Sequence, residues 1–249
     1  MKHYVATDLH GNLTMYTKMM DWLNSQKEEF ILYFLGDAAD RGEDGYKIME
    51  LLLNDPRVVY LKGNHEDLFV RAAIDYADLA MRFDCTRKEL AERFNNDLAF
   101  LTAFGVEMQL HCYNGGESTL KAWIDAGCKM DIIYKLKRLP LKASFEKFDM
   151  CHAGCEISDW DNNDESALLW DRTHFDKPWK ENRILIHGHT PINCVSVCDF
   201  KDWHVESYCN GQKYDLDTGC WHTGILSMLC LETKEVITLT QEENTSFDF

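Results

Sequence analysis

The most informative stretch of the 249-residue chain reads Phe30-Ile31-Leu32-Tyr33-Phe34-Leu35-Gly36-Asp37-Ala38-Ala39-Asp40-Arg41-Gly42. Its first six residues form a nearly continuous apolar run, which predicts a strand buried on both faces of a sheet. The run stops at Gly36-Asp37, where a polar loop begins. Because α/β proteins build their sites outside the carboxyl ends of strands, this loop is a candidate position for functional residues.

The same pattern, an apolar strand followed by a polar loop that contains glycine, occurs on either side of this stretch. Lys2 to Thr7 predicts a first strand and precedes Asp8-Leu9-His10-Gly11-Asn12. Val58 to Leu61 predicts a third strand and precedes Gly63-Asn64-His65-Glu66. Three strand ends therefore carry polar side chains at equivalent positions.

Helical spacing separates these strands. The apolar positions between Met15 and Leu23 predict one helix with Thr14 as its N-cap, and Tyr46 to Leu53 predicts a second. The alternation of strand and helix indicates an α/β fold. Residues from about 67 to 138 then look helical, apart from a turn at Tyr113-Asn114-Gly115-Gly116 that precedes a further helix start, and this predicts a helical cap inserted into the fold.

Strand patterns return after the cap and continue almost to the end of the chain. No repeat or proline-rich linker divides the sequence, so we expect one domain over residues 1–249, a β-sandwich flanked by helices. The polar residues 241–249 are expected to fray. The predicted strands are 145–151, 183–187, 194–198, 203–207, 213–217, 224–231 and 235–240.

Composition excludes several classes of partner. The 26 basic and 42 acidic residues give a net charge of −16, which disfavours nucleic acid and anionic membrane surfaces. No apolar run is long enough to span a bilayer, and the amino terminus lacks a secretory apolar segment. We therefore expect a soluble, cytoplasmic protein whose ten cysteines are mostly buried, reduced thiols.

The strand-end loops concentrate carboxylate, imidazole and amide groups. Further along the chain, Cys151-His152-Ala153-Gly154 and His187-Gly188-His189-Thr190-Pro191 follow two more predicted strands. Oxygen and imidazole ligands together suit manganese, iron or zinc. A pair of such cations about 3.5–4 Å apart can clamp a phosphoryl group and generate a hydroxide nucleophile near neutral pH.

These blocks resemble, in order and spacing, the signature of the PPP-type metallophosphoesterases, which have the calcineurin-like fold. The matching blocks are Asp8-x-His10, Gly36-Asp37-x-x-Asp40-Arg41-Gly42, Gly63-Asn64-His65-Glu66, His152-Ala153-Gly154, Trp170-Asp171-Arg172 and Gly188-His189-Thr190-Pro191. The resemblance covers nearly the whole chain, since Asp215-Leu216-Asp217-Thr218-Gly219 also fits. It is strongest to the compact bacterial and bacteriophage serine/threonine protein phosphatases of the lambda type.

The resemblance implies a dinuclear metal site with manganese as the expected metal, or iron, zinc or a mixed pair. One cation would be held by Asp8, His10 and Asp37. The other would be held by Asp37, Asn64, His152 and His189, so that Asp37 bridges the two.

The resemblance also implies in-line attack by a metal-bridging hydroxide on a phosphate monoester. His65 would protonate the leaving alkoxide and Asp40 would orient its imidazole. Arg41 and Arg172 would grip the phosphate oxygens. The expected substrate is phosphoserine or phosphothreonine in a protein; the alternative is a dinucleoside polyphosphate or another small phosphoester.

Other histidines and tryptophans are less clear. His187 lies two residues before His189 on a predicted strand, so both could approach the metals, although the motif aligns with His189. His111, His174, His204 and His222 match no motif and are interpreted as solvated or structural, Trp170 as packing beneath Arg172. Glu66 is interpreted as a helix-terminal residue that favours the dipole. A non-catalytic protein with this fold is disfavoured because every motif ligand is present.

Overall fold

The computed structural model describes residues 1–93, 97, 101–155, 160–195 and 203–241. The first of two sheets is mixed and has the strand order β10-β9-β1-β2-β3. The strands β1, β2 and β3 run parallel, whereas β9 pairs antiparallel with β1 and β10 with β9. Their bounds are Lys2–Ala6 (β1), Phe30–Phe34 (β2), Val58–Tyr60 (β3), Ile225–Cys230 (β9) and Val236–Thr240 (β10).

The second sheet is also mixed and has the order β4-β5-β6-β8-β7. Its three central strands are parallel, and an antiparallel strand closes each edge. The bounds are Lys142–Phe145 (β4), Phe148–Cys151 (β5), Ile184–His187 (β6), Ser207–Tyr208 (β7) and Lys213–Asp215 (β8). The parallel strands of both sheets thus present several carboxyl ends, as the predicted site requires.

The two sheets pack face to face. Val5 and Leu229 of the first sheet share a buried apolar cluster with Met150 and Ile186 of the second. A larger cluster joins the outer face of β1 and β2 to the helices. This confirms the predicted β-sandwich flanked by helices, whereas the extent of a single domain over residues 1–249 stays a prediction.

Helices occupy the predicted positions, and most of them lie between β3 and β4. Helix α3 carries an amphipathic row of buried residues that packs mainly against the neighbouring helices, with Leu68, Phe69, Ala72 and Tyr76 buried. The bounds are Leu13–Ser25 (α1), Gly45–Asn54 (α2), Asn64–Arg82 (α3), Arg87–Arg93 (α4), Val106–Tyr113 (α5), Glu117–Asp125 (α6), Met130–Lys137 (α7), Glu165–Trp170 (α8) and Cys220–Thr223 (α9).

The structure corrects four local predictions. Asn12, not Thr14, caps α1, because its Oδ1 accepts a hydrogen bond from the Met15 amide at 3.1 Å. The predicted strand 145–151 is a hairpin of β4 and β5 with a left-handed turn residue, Glu146. Cys194, the first residue of the predicted strand 194–198, ends a 3₁₀ turn over residues 192–194, and only Ser207 of the predicted strand 203–207 is in a strand. Strand β2 alternates between fully and partly buried residues.

Parts of other predictions lie outside the described residues. These are residues 94–96 and 98–100 of the predicted helical cap, residues 196–198 of one predicted strand and residues 242–249 of the tail. The described part of the chain contains no helix long and apolar enough to cross a membrane. Its nine cysteines are free thiols, and five of them are buried among apolar side chains.

Candidate metal centre

The strand-end loops interlock through backbone hydrogen bonds. The amides of Asp8 and His10 donate to the carbonyls of Gly36 and Asp37 at 3.1 and 2.9 Å. From the second sheet, the Gly188 amide donates to the carbonyl of His152 at 2.8 Å. The carboxyl ends of β1, β2, β5 and β6 therefore meet at one edge of the sandwich. This convergence brings together the ligand residues that are distant in sequence.

Six of the ten predicted site residues adopt a left-handed backbone conformation, which is uncommon for residues with a side chain. Their φ angles are 56° (Asp8), 44° (His10), 58° (Asp37), 71° (Asp40), 65° (Arg41) and 70° (His189). Such a conformation costs roughly 1–3 kcal/mol per residue and persists where the surroundings over-determine it. Gly36 illustrates the crowding, since a Cβ there would collide with Gly63. The loops are thus held in one conformation that aims the side chains inward.

Asp37 lies at the centre of the buried side chains. Its Oδ2 is 3.5 Å from His10 Nε2 and 3.4 Å from His152 Nε2. Asn64 Oδ1 lies 2.9 Å from both His152 Nε2 and His189 Nδ1. Two ligand groups result, and both include Asp37: one with His10 and His65, the other with His152 and His189.

The residues present fit a pair of cations. Asp8 Oδ1 is buried without a hydrogen-bond partner and lies 3.7 Å from His10 Nε2. The Nδ1 atoms of His10 and His152 each contact a backbone carbonyl at 3.0 Å, which leaves Nε2 of both rings directed at Asp37. A hydrogen bond made by the ring nitrogen that does not face the cation fixes the tautomer of a metal-binding imidazole. Nitrogen and oxygen donors in this arrangement suit manganese, iron or zinc.

Burial and neighbouring charges shift the pKa values of the ligand groups strongly. Burial lowers the pKa of His10 well below its usual value and that of His189 to about 2, so these nitrogens are unprotonated at neutral pH. Burial opposes ionisation of Asp37, but His152 and His65 hold its pKa well below its usual range. Burial raises the pKa of Asp8 to about 6. The unprotonated nitrogens and the anionic Asp37 are the forms that coordinate cations. For His152, burial opposes protonation, but the carboxylate of Asp37 outweighs it and raises the pKa to about 9, so this ring would release a proton on binding a cation.

His65 lies beside the ligand groups and is held by a buried carboxylate. Its Nδ1 donates to Asp40 Oδ2 at 2.8 Å, and its Nε2 lies 3.9 Å from Asp37 Oδ2 and 3.3 Å from Arg41 Nη2. Burial alone would lower the pKa of His65, but the carboxylates of Asp37 and Asp40 outweigh it and raise the pKa. A raised pKa keeps the imidazole protonated and able to act as an acid.

His111 is a site residue that the sequence interpretation missed. It is fully buried, and its Nε2 donates to Asp40 Oδ1 at 2.9 Å, so that two imidazoles share one carboxylate. His111 lies on α5, three residues before Asn114-Gly115-Gly116. The sequence marked that glycine-rich segment only as a turn before a helix start, and this was the nearest signal to His111.

The segment from α5 to the start of α6 is fastened to the Asp40-Arg41-Gly42 loop. The Arg41 amide donates to the carbonyl of Gly115 at 2.8 Å, and the Asp40 amide donates to Thr119 Oγ1 at 3.0 Å. Ser118 Oγ donates to the carbonyl of Gly42 at 2.8 Å. These bonds and His111 hold the loop in its left-handed conformation.

Glu66 does more than stabilise a helix terminus. Its buried carboxylate accepts hydrogen bonds from the amides of Gly63, Asp37 and Ala38 at 2.8–2.9 Å and from the Tyr60 hydroxyl at 2.8 Å. It therefore joins the loop after β2 to the start of α3. The sequence interpretation placed it correctly at the helix start but did not predict that it organises the loop of Asp37.

The two predicted phosphate-binding arginines lie at the exposed side of the site. Arg172 Nε donates to His189 Nε2 at 3.2 Å, and Arg41 approaches His65 as described. Trp170 keeps 40% of its surface exposed, and its ring makes an edge contact with His189 at 5.8 Å between centroids. Trp170 thus borders the site instead of being buried packing beneath Arg172.

His187 does not join the ligand groups. Its Nε2 lies 2.5 Å from the Tyr208 hydroxyl, and its ring packs against buried His174. Strand β6 ends at His187, and the left-handed backbone of His189 breaks the alternation that would have put both side chains on one face. His174 is structural, whereas His204 and His222 are exposed.

Two mixed sheets with carboxylate, amide and imidazole ligands at one edge define a class of metal-dependent hydrolases. Residues 1–219 match the calcineurin-like phosphoesterase family, so the chain belongs to this family, whose members normally use two divalent cations. The fold prediction is confirmed at this level. The family match does not distinguish the lambda-type enzymes from other members of the family.

A curated relative shares part of the sequence. The symmetrical bis(5'-nucleosyl)-tetraphosphatase of Wigglesworthia glossinidia brevipalpis is 33% identical over 67 residues, which is 26% of this chain and 25% of that protein. The chain thus matches about a quarter of the length of this curated relative.

Solved structures share the fold at low identity. A putative diadenosine tetraphosphatase superposes with a TM-score of 0.62 at 14% identity, covering 97% of this chain and 94% of its own. A protein serine/threonine phosphatase from Saccharomyces cerevisiae gives 0.54 at 12%, with 97% and 80% covered. The cold-active protein-tyrosine phosphatase of a psychrophilic Shewanella gives 0.57 at 15%, with 96% and 77% covered. At these identities the likeness establishes the fold alone.

Proposed function

We propose that the protein is a dinuclear-metal phosphomonoesterase. The observation that carries the proposal is the position of Asp37, whose Oδ2 lies between His10 and His152 at 3.5 and 3.4 Å. Bound there, manganese or a similar divalent pair would polarise the phosphoryl group and lower the pKa of the attacking water. The proposed ligands are Asp8, His10 and Asp37 for one cation and Asp37, Asn64, His152 and His189 for the other.

His65 is the proposed general acid and Asp40 its orienting partner. The hydrogen bond from Nδ1 to Asp40 fixes the ring so that Nε2 faces the ligand groups. From that position Nε2 would give its proton to the leaving oxygen. A carboxylate partner stabilises the protonated ring before transfer, as the raised pKa of His65 indicates.

Arg41 and Arg172 are the proposed phosphate-binding residues. Both guanidinium groups are exposed, and they contact different members of the site, His65 and His189. Two guanidinium groups beside different members of the site can each donate paired hydrogen bonds to oxygens of one phosphate. A lysine in the same place would act only as a point charge.

Phosphoserine or phosphothreonine in a protein is the first candidate substrate. Its support is the ordered series of motif blocks, which resembles the compact bacterial and bacteriophage serine/threonine phosphatases and which the structure gathers at one edge. Exposure of both arginines leaves room for a phosphorylated chain at the surface.

A dinucleoside polyphosphate is the second candidate. Its support is the 33% identity to the symmetrical tetraphosphatase, together with the likeness in fold to the putative diadenosine tetraphosphatase. Both candidates require the same cations, acid and arginines, so only the groups around the site separate them.

A steady-state comparison ranks the candidates. With manganese-loaded protein, kcat/KM is measured for a phosphoserine peptide and for diadenosine tetraphosphate. A tenfold higher value for the nucleotide would overturn the first candidate. p-Nitrophenyl phosphate serves as the general substrate, and a folded, metal-loaded protein that fails to hydrolyse any of the three would refute the phosphoesterase proposal itself.

A further inference from the structure

Two tryptophans are exposed beside the site. All seven tryptophans lie within the described residues, and only Trp170 and Trp221 are exposed, by 40% and 46%. Exposure of large aromatic rings at a cleft edge typically marks a binding surface. Trp170 contacts the ligand His189, whereas Trp221 belongs to no motif block and has no role in the proposed hydrolysis.

Trp221 lies next to an arginine that borders the proposed general acid. Its ring centre is 5.8 Å from Arg41 Cζ, and Arg41 Nη2 is 3.3 Å from His65 Nε2. If His65 protonates the leaving oxygen, the group bonded to that oxygen begins beside Arg41. Trp221 is the exposed ring next to that arginine.

The backbone that carries Trp221 is firmly anchored. The short helix α9 lies between two left-handed glycines, Gly219 and Gly224, with φ of 64° and 65°. Its first residue, Cys220, is buried, and the carbonyl of Cys220 accepts a hydrogen bond from Asn12 Nδ2 at 3.3 Å. A ring presented on a fixed turn loses little conformational freedom when a ligand stacks on it.

We infer that Trp221 is a stacking platform for a planar ring carried by the leaving group of the substrate. The inference rests on the proposed function, which supplies the phosphate position and the direction of departure. The chemical class is a phosphoryl group linked to a planar π-system, either the nucleobase of a nucleotide or the aryl ring of phosphotyrosine. Stacking on Trp221 would favour these over compounds with an aliphatic leaving group, so it favours the second candidate substrate or an aryl phosphate over phosphoserine.

Binding of two matched phosphonates, which are not hydrolysed, tests the platform. Calorimetry on the manganese-loaded protein gives Kd for benzylphosphonate and for cyclohexylmethylphosphonate, which differ in planarity and little in size. We expect benzylphosphonate to bind at least about fivefold more tightly than cyclohexylmethylphosphonate, because stacking one planar ring on an aromatic side chain strengthens binding by at least this factor. Trp221→Leu should bring the ratio to about one, and Trp221→Phe should keep most of it.

Tyr134→Leu is the matched control, because Tyr134 is an exposed aromatic residue, 56% accessible, on α7 outside the site. It should leave the ratio unchanged. An unchanged ratio in Trp221→Leu, with an unchanged melting temperature, would overturn the platform.

Turnover separates the platform from the proposed function. If the Kd ratio depends on Trp221 but benzyl phosphate is not hydrolysed, the platform stands and the phosphomonoesterase proposal fails. If benzyl phosphate is hydrolysed but the Kd ratio does not depend on Trp221, the phosphomonoesterase proposal stands and the platform fails. A fall in kcat/KM of fivefold or more in Trp221→Leu on diadenosine tetraphosphate identifies a nucleobase, and the same fall on a phosphotyrosine peptide identifies an aryl group. If the protein hydrolyses both substrates and neither shows the fall in Trp221→Leu, the platform is contradicted.

Discussion

Single residues at the site depend on partners that are remote in sequence. Asp37 and Asp40 adopt left-handed backbone conformations, and their loop is held by buried groups, Glu66 at Asp37 and His111 with Thr119 at Asp40. A strained backbone of this kind persists because several hydrogen bonds fix it at once. The functional side chains are thereby oriented before any ligand binds.

His65→Asn tests the proposed general acid. We expect kcat on an alkyl phosphate to fall by about 10²–10⁴-fold, the usual contribution of a general acid. The loss on p-nitrophenyl phosphate should be smaller, because nitrophenolate leaves without protonation. Parallel measurement of both substrates checks this, and equal losses would argue against His65 as the proton donor.

His111→Phe tests the second imidazole on Asp40. It leaves Asp40 Oδ1 buried without its donor, so we expect the free energy of unfolding to drop by about 1–3 kcal/mol. Loosening of Asp40 should lower kcat on an alkyl phosphate more than it changes KM. Urea unfolding and steady-state kinetics measure the two effects.

His111→Gln is the companion variant, since its amide can still donate to Asp40. Partial recovery of kcat in His111→Gln would indicate that the hydrogen bond matters and not ring packing. Wild-type values of stability and kcat in His111→Phe would contradict a positioning role.

Among the secondary-structure elements, β4, β5 and the segment before β6 are joined by one buried carboxylate. Asp149 on β5 accepts hydrogen bonds from Arg183 Nε at 2.7 Å, Ser144 Oγ at 2.7 Å and Trp179 Nε1 at 3.2 Å. Burial works against the charge, but Arg183 and Ser144 outweigh it and lower the pKa of Asp149. This contact fixes the sheet that delivers His152 and His189.

Asp149→Asn should therefore destabilise the protein in a pH-dependent way. Because the folded-state pKa lies below the unfolded value of about 3.9, the stabilisation is fully present above that value and is lost as pH falls through the folded pKa. We expect a loss of about 1–3 kcal/mol at pH 7. Urea midpoints of wild type and variant should converge at acid pH; a constant difference from pH 7 to 3 would contradict the ionic contribution.

For the whole molecule, net charge and local charge have different consequences. The net of −16 disfavours polyanionic partners, yet two divalent cations would bring it only to −16 + 4 = −12. The cations would lie among buried acidic groups, beside Arg41 and Arg172. A phosphate would thus meet a locally positive site on a negative protein.

Metal removal should lower the melting temperature of the whole chain. Cations bind the folded site and not the open chain, so saturation at a hundredfold excess over Kd adds about 2.7 kcal/mol per site. Calorimetric scans with manganese and with chelator check this. No shift on chelation would mean that the folded chain does not bind manganese at these groups.

Asp37→Asn should prevent tight binding of two cations, because the carboxylate lies between both ligand groups. Metal analysis of the purified variant gives the stoichiometry. Two cations per chain in Asp37→Asn would refute the bridging role.

The sequence by itself determined the α/β fold, the strand-end loops and the side chains that gather at one edge. These features were readable because strand patterns and motif blocks are local, and parallel strands align their carboxyl ends. Prediction from the sequence failed where the local residue pattern and the contacts in the folded chain disagree. Thr14 fits an N-cap but Asn12 makes the bond, and Cys194, predicted to begin a strand, ends a 3₁₀ turn.

Only the tertiary structure decided which further residues touch the site. His111 reaches Asp40 across 71 positions, and Trp221 reaches Arg41 from the other end of the chain. His187 turns away from the ligands although its neighbour His189 faces them, because the strand ends between the two. Such contacts depend on how whole elements pack, and no periodicity within a single segment records that packing.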